Sequence, residues 1–266
     1  MSQVGFVGAG RMGAPMVRRL IEAGHEVSAL GRSVEKRRAV SELGAQPVTD
    51  LADVGADADV VVVCVFTDEQ VQQVCLESVL LSTMRPGAVL VVHTTGSPRT
   101  AESVAAEAGS HGVDVIDAPV SGGPHDIAAG QVTLFVGGPD DAVERARPVL
   151  ASYGDPILHV GPIGAGQGVK LVNNTLFAAQ IGLLHEAVRL GDRLGIDERQ
   201  LLDAIGHGSA ASRVASIVGA RGSVDAFIEM VGEFVGKDVA VVRKTLAELG
   251  SDLGVLDEAI NAGIQP

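Results

Sequence analysis

The sequence predicts a chain of two parts, an α/β half built on a doubly wound sheet and an all-α half behind it. Three observations carry this. As far as residue 161, short apolar runs alternate with stretches of helical spacing, the pattern of strands and their covering helices. The first run ends in a glycine-rich turn, Gly8-Ala9-Gly10-Arg11-Met12-Gly13, which opens directly into a helical pattern. Beyond Gly161 only helical patterns remain.

Composition sets the outer limits. With 266 residues, 46% hydrophobic and 20% charged, the chain has the apolar content for folded cores and none of the marks of a disordered or fibrous sequence. Two domains are expected, residues 1–161 and 162–266. The longest uninterrupted apolar run, residues 60–66, is too short to span a bilayer, so no membrane is expected as a partner. A formal net charge of −13 argues against nucleic acid, whose phosphates are bound by basic faces. The N-terminal residues enter an apolar strand without the features of a secretory signal, which makes the cytoplasm the expected location. Two cysteines build no disulfide scaffold, and Cys64 lies in an apolar run as a small hydrophobe.

Residues 3–8 form the first strand. Met16, Val17, Leu20 and Ile21 then recur at helical spacing up to Gly24, and residues 25–30 form the second strand. In a chain with 34 glycines a Gly-x-Gly-x-x-Gly match alone is weak. Its place between a strand and an amphipathic helix is what makes it the phosphate turn of a dinucleotide-binding βαβ unit, and the sheet Rossmann-type. Gly8, Ala9, Gly10, Arg11, Met12 and Gly13 are therefore expected cofactor contacts. After the second strand an NAD-binding chain carries an acid for the ribose hydroxyls, but here Gly31-Arg32-Ser33 is followed by Lys36, Arg37 and Arg38. That basic cluster suits the 2′-phosphate of NADP, with Arg32 and Ser33 as contacts. A solvated basic helix start would read the same way, so NAD stays open.

Strands are expected at residues 60–66 and 88–93, trailed by helical patterns at 69–80 and 100–108. The first is apolar on both faces, as a strand buried between two helical layers must be. Ligands of such sheets lie off the strand carboxyl ends, which directs Val65, Phe66 and Thr67, and then His93-Thr94-Thr95-Gly96, toward the cofactor. Ser97-Pro98 reads as a helix cap. A strand at 113–116 runs into Asp117-Ala118-Pro119-Val120-Ser121-Gly122-Gly123-Pro124, a turn that is either an anion-binding nest of backbone N–H groups or a plain tight connection. A strand at 132–137, a helix at 139–151 and a short strand at 157–160 close the α/β half.

Helices follow at 164–194, 198–205, 211–218 and 226–249. The first spans on the order of 45 Å, enough to join two domains and offer surface for dimerisation. Its entrance has three glycines in five residues, then Lys170, Asn173 and Asn174 on one face. Such a face is either a site for a small molecule with a carboxylate or carbonyl, or a solvated surface. The cleft between the domains is the expected location of the site.

Four segments in this order resemble the β-hydroxyacid dehydrogenase family, of the 3-hydroxyisobutyrate dehydrogenase-like type. The pattern GxGxMGxPM stands at residues 8–16, DAPVSGG at 117–123, GxGxxxKxxNN at 164–174 and a late Lys-Asp pair at Lys237-Asp238. The resemblance implies a Rossmann-like NADP-binding domain, a long interdomain helix, a 6-phosphogluconate dehydrogenase-like all-α C-terminal domain, and a homodimer or homotetramer. It implies an NADP(H)-dependent oxidoreductase that interconverts a short β-hydroxy acid with its semialdehyde or keto acid. In that reading Lys170 is the general acid/base, Ser121, Gly122, Gly123 and Asn174 bind substrate, Thr95 and Lys237 touch the cofactor, and no metal takes part. Proton transfer at neutral pH asks that the lysine be buried enough to lower its pKa.

The chain departs from the family's pattern at three loops. It has His93-Thr94-Thr95 for Asp-x-Ser-Thr, Phe66-Thr67 for Leu-Pro or Leu-Ser, and Pro124-His125-Asp126 where small residues usually follow Ser-Gly-Gly. These changes bear on which substrate is read, and His125 is open as a contact to a second acid group or as a solvated side chain. Two other functions share the architecture. An imine reductase generally has Asp or Tyr in place of Lys170, and a decarboxylating sugar-acid dehydrogenase has His in place of Asn173. A cofactor-binding module whose catalysis has lapsed is the third reading.

Overall fold

The structure, a computed structural model, describes residues 1–264. It separates into two compact units, one ending at Lys170 and the other beginning at Leu171.

In the first unit β1 (Gln3–Val7), α1 (Gly13–Glu22), β2 (Glu26–Leu30), α2 (Val34–Glu42), β3 (Gln46–Val48), α3 (Leu51–Gly55) and β4 (Val60–Val63) follow one another. Then come α4 (Asp68–Cys75), α5 (Leu80–Thr83), β5 (Val89–Val92), α6 (Pro98–Gly109), β6 (Asp114–Asp117), β7 (Val120–Ser121), α7 (Pro124–Ala128), β8 (Val132–Gly137), α8 (Asp140–Leu150) and β9 (Gly154–Gly161). The strand order is β3-β2-β1-β4-β5-β6-β8-β7, with β9 paired to β8. The strands from β1 to β6 are parallel, in a register that sets Val4 beside Val27 and Val60. β8 runs antiparallel to β6 and β7. This is the doubly wound Rossmann-type order, reversing direction between β1 and β4, where ligands of such sheets bind.

Strand periodicity divides the core. Val60 and Val62 face the side carrying Met16 and Leu20 of α1 and Val143 and Ala146 of α8. Val61 and Val63 face Val54 of α3, Val71 of α4, Leu80 of α5 and Val104 of α6. Four consecutive valines thus serve two layers, and each buried side chain contributes roughly 1.5–3 kcal/mol of transfer free energy.

Local chemistry explains where the elements depart from the sequence pattern. The helical pattern at 69–80 splits because the Ser78 hydroxyl donates to the Val74 carbonyl and accepts from the Leu80 N–H, ending α4 and starting α5. β4 stops at Val63 because both polar groups of Val65 turn to the Thr94 hydroxyl. β3 escapes periodicity analysis because it has three residues and a central proline, tolerated at the sheet edge. The two-residue β7 is likewise too short to show a period.

The second unit takes up most of α9 (Ala165–Arg193), then α10 (Glu198–His207), α11 (Arg213–Arg221), α12 (Val224–Glu248) and α13 (Val255–Asn261). With 29 residues α9 is about 44 Å long. Asp197, Ser212 and Ser223 cap the next three helices through their side chains. Ile181, Leu184, Leu202, Val218, Phe227, Val239 and Ile260 form the core. The short α13 lies outside the expected helices; its Ala259 carbonyl meets α9 at Gly182, where any side chain would collide. Among the described residues no helix is long and apolar enough to cross a membrane.

Candidate active site

The glycine-rich turn between β1 and α1 has two closed faces and one open. Gly8 has φ +101, and a Cβ there would run into the Cys64 carbonyl oxygen at the end of β4. A Cβ on Gly13 would strike the Gly8 carbonyl, so α1 enters hard against the turn. Gly10, by contrast, has nothing within 4 Å of where a Cβ would lie. Ala9 and Met12 are half-buried and Arg11 is exposed. An open backbone at a helix entrance fits the approach of a pyrophosphate, so the residues present suit a dinucleotide.

At the end of β2 the basic cluster is partly used. The Ser33 hydroxyl caps α2 by accepting from Lys36 N–H at 3.2 Å. Arg37 donates to the Gly31 carbonyl at 3.3 Å, and Arg38 pairs with Glu42 at 2.9 Å. Arg32 stands exposed.

The loops after β4 and β5 are tied together and to the start of α9. The Thr94 hydroxyl accepts from Val65 N–H and donates to Val65 C=O, both at 3.0 Å. The buried Gln167 side chain accepts from Gly96 N–H at 3.0 Å and donates to Thr94 C=O at 2.8 Å. Thr95 is thereby held between two tethered neighbours, and Phe66 is left 47% exposed beside Val65. Asp68 completes the hold, accepting from Ser97 N–H and the Thr100 hydroxyl.

Two buried polar groups fix the segments after β5 and β6. The His93 ring places Nδ1 at 2.5 Å from the Ala118 carbonyl and Nε2 at 2.8 Å from the Tyr153 hydroxyl. A carbonyl only accepts, so Nδ1 carries the proton and Tyr153 donates to Nε2. Desolvation pushes the His93 pKa down to about 4, opposed by the Ala118 hydrogen bond, and the ring is neutral. Where the family's pattern has an acid, this chain has a neutral brace on the turn that begins at Asp117.

Asp117 itself is fully buried and takes the place of an N-cap for α9. Its Oδ1 accepts from Gly164 N–H at 2.7 Å and its Oδ2 from Gln167 N–H at 2.6 Å. Burial raises its pKa to about 6, while the amides of Gly164, Gln167 and Gly166 pull it down. Gly166 is glycine because a Cβ would collide with the Phe135 carbonyl and Asp117. The Asp-Ala-Pro-Val-Ser-Gly-Gly segment and the helix bearing Lys170 therefore share one root.

Lys170 lies further along α9, buried at 9% exposure. Asn174, four residues on, accepts from Asn173 Nδ2 at 3.2 Å and donates to Asp238 Oδ2 at 2.5 Å. Lys237 Nζ lies 3.1 Å from Asp238 Oδ1, an ion pair without hydrogen-bond geometry. Asp238 thus brings Asn174 and Lys237 together in the second unit, and in the sequence only its adjacency to Lys237 signalled it.

Ser121 sits in β7 opposite Thr133. Gly122 has φ +138, and the Gly123 N–H donates to Asp126 Oδ2 at 2.6 Å, closing the first turn of α7. His125 is exposed, with Nε2 at 3.4 Å from the same oxygen. Among the described residues no group of three or more His, Cys, Asp or Glu side chains is placed to hold a metal ion. Gln167 and Tyr153 escape the sequence reading, since each acts through a partner far along the chain; Asp117 reads only as part of its motif and Asp126 only as part of a departing loop.

Comparison with known proteins covers nearly the whole chain. Residues 3–161 match the family described as the NAD binding domain of 6-phosphogluconate dehydrogenase. Residues 164–262 match the one described as NAD-binding of NADP-dependent 3-hydroxyisobutyrate dehydrogenase. The NAD-dependent L-serine dehydrogenase of Pseudomonas aeruginosa is 31% identical over 267 residues, covering 98% of this chain and 86% of that one. The 3-hydroxyisobutyrate dehydrogenase of the same organism is 34% identical over 213 residues, 80% of this chain and 72% of that one. In structure, Mycobacterium tuberculosis 3-hydroxyisobutyrate dehydrogenase with L-serine superposes with a TM-score of 0.89 at 30% identity, covering 98% of this chain and 92% of that one.

Proposed function

The chain belongs to the β-hydroxyacid dehydrogenase family of NAD(P)-dependent oxidoreductases, and from that premise we propose that it uses NADP(H) to interconvert a short β-hydroxy acid and its semialdehyde or keto acid. Lys170 is the general acid/base of this proposal. The observation that carries it is the burial of Lys170 one turn beyond a helix entrance clamped by Asp117. Relatives whose names specify 3-hydroxyisobutyrate and L-serine support the substrate class, since both are β-hydroxy acids.

In this reading the residues from Gly8 to Gly13 receive the pyrophosphate, Arg32 and Ser33 the 2′-phosphate, and Val65, Phe66, Thr95 and Lys237 the remainder of the cofactor. The bound nicotinamide supplies or takes the hydride. Lys170 gives its proton to the carbonyl oxygen in reduction and takes it from the hydroxyl in oxidation, and its burial keeps bulk water from competing for that proton. Asn174 is oriented by Asp238 and Asn173, so its amide is set before substrate arrives. Ser121 and the Gly122-Gly123 backbone meet the substrate's polar groups. A homodimer or homotetramer is part of the same proposal, supported by Val172, Leu176, Leu183 and Leu190, exposed along α9.

The test is a panel of short semialdehydes, keto acids and β-hydroxy acids run with NADPH and NADH, cyclic imines and 6-phosphogluconate included. Turnover of at least one β-hydroxy acid or its oxidised partner, with NADPH bound at least about tenfold tighter than NADH, is expected. Tight NADPH binding without turnover of any compound would identify a module whose catalysis has lapsed.

A further inference from the structure

The buried Gln167 has no role in the reaction as derived so far, yet its two ends join the parts that do. Its partners allow one orientation of the amide: Oε1 accepts from the Gly96 N–H at 3.0 Å, and Nε2 donates to the Thr94 carbonyl at 2.8 Å. Between those two residues lies the half-buried Thr95. The Asp68 carboxylate packs against Gly96 so closely that a Cβ there would collide with it, which holds the loop on another side. Along α9, Gln167 stands three residues before Lys170, the spacing that puts two side chains on one helix face. Its own N–H is held by Asp117 Oδ2 at 2.6 Å, so the side chain reaches out from a fixed point. The helix entrance meets the same loop again at Gly164, where a Cβ would lie 3.3 Å from the Pro98 ring.

Satisfying a buried N–H and a buried carbonyl is what any buried glutamine does, and that role alone would show only in stability. The neighbouring elements do not need it for their own formation. Asp117 already caps α9, and the Thr94 hydroxyl already ties the loop after β5 to the loop after β4. What Gln167 adds is a strut of fixed length from the Thr95 loop to the helix of Lys170. In reduction the hydride adds to the carbonyl carbon and the lysine's proton to the oxygen bonded to it, so the two donors must keep one interval. A misplacement on the order of 1 Å in such geometry costs about a hundredfold in rate. We propose that Gln167 is a positioning residue for the transfer step, setting the interval between Thr95 on the cofactor's side and Lys170 on the proton's side. This rests on the roles proposed above for Thr95 and Lys170 and adds the group that holds them in step.

Gln167→Met keeps the side chain's length and removes both hydrogen bonds. Gln167→Glu keeps the acceptor for Gly96 and, ionised, sets a second acceptor against the Thr94 carbonyl. Each is made in the parent and in Lys170→Ala. The hydride step is followed as a single turnover of NADPH with a carbonyl substrate that the parent reduces, and NADPH affinity is measured by direct titration. In the parent background both variants are expected to slow the step by at least about tenfold, with NADPH affinity changed by less than about threefold. In the Lys170→Ala background there is no lysine to position, and the same changes are expected to slow the residual step by less than about threefold. Equal slowing in the two backgrounds marks a structural role and overturns the proposal. A parent-like rate in both variants, or a loss of NADPH affinity as large as the loss of rate, overturns it too. Those results leave the acid/base reading standing when Lys170→Ala alone slows the step. A parent-like rate in Lys170→Ala is the distinct result that overturns the reading, and the positioning with it.

Discussion

At the tip of β2, Arg32 is exposed and its neighbours are occupied with α2; at the tips of β5 and β6, His93, Thr94 and Asp117 are buried and, with Gln167 of α9, tethered across elements. The first arrangement presents charge to solvent and asks little of the fold. The second spends buried polar groups on holding three loops against the start of α9. A charged tip changes its ligand preference by one substitution. A buried brace cannot change without disturbing the helix that carries Lys170, and so it transmits position.

Substitutions at the two places separate these regimes. Asp117→Ala strands two buried amides at the start of α9, and is expected to cost about 4 kcal/mol in chemical denaturation; a cost under about 1 kcal/mol would show that the amides find other partners. The His93 brace has a pH signature. Its folded pKa is about 4 against 6.5 for the free group, so between those values the unfolded chain takes up a proton that the folded chain refuses. Stability from this group is whole above pH 6.5 and falls as pH drops toward 4. Asp117 has the opposite sign, since its pKa rises from 3.8 to about 6 and the folded chain is protonated first. Removing the ring in His93→Asn should therefore reduce the loss of stability between pH 6.5 and 4 by up to about 3 kcal/mol relative to the parent. Parallel pH profiles for the two proteins would contradict the brace.

Gly166→Ala tests the close approach at the helix entrance, and overpacking against the Phe135 carbonyl is expected to cost about 2 kcal/mol. Thermal unfolding at the parent's midpoint would settle whether the backbone yields. The smallest effect belongs to the exposed tip. Arg32→Asp should leave stability unmoved and erode the preference for NADPH over NADH by about tenfold, about 1.4 kcal/mol, in direct cofactor titration. A preference untouched by that change would mean that Arg32 does not read the 2′-phosphate.

The same contrast decides what could be read from the amino-acid sequence. Gly8, Gly10 and Gly13 announce themselves because a strand precedes them and a helix follows, and Val60 to Val63 announce a doubly covered strand by being apolar throughout. The helix bearing Lys170 is legible from its apolar period. The brace is not, because its pairs lie far apart in the chain: His93 finds Tyr153 sixty residues away, and Asp117 finds Gly164 at forty-seven. No periodicity records such contacts, so His93 reads as a departure and as a strand-end residue facing the cofactor, where the structure buries it against Ala118 and Tyr153, and Gln167 reads as filler between glycines. Asp126 lies three residues from its partner, yet only the fold of the turn shows that its carboxylate occupies the Gly123 N–H.

The most direct test of the central claim is the turnover of Lys170→Ala with a substrate the parent accepts, measured beside its affinity for NADPH. A rate lower by a hundredfold or more, the order expected for losing a general acid/base, with NADPH still bound at the parent's affinity, is the predicted result. An unaltered rate would contradict it and remove proton transfer from Lys170.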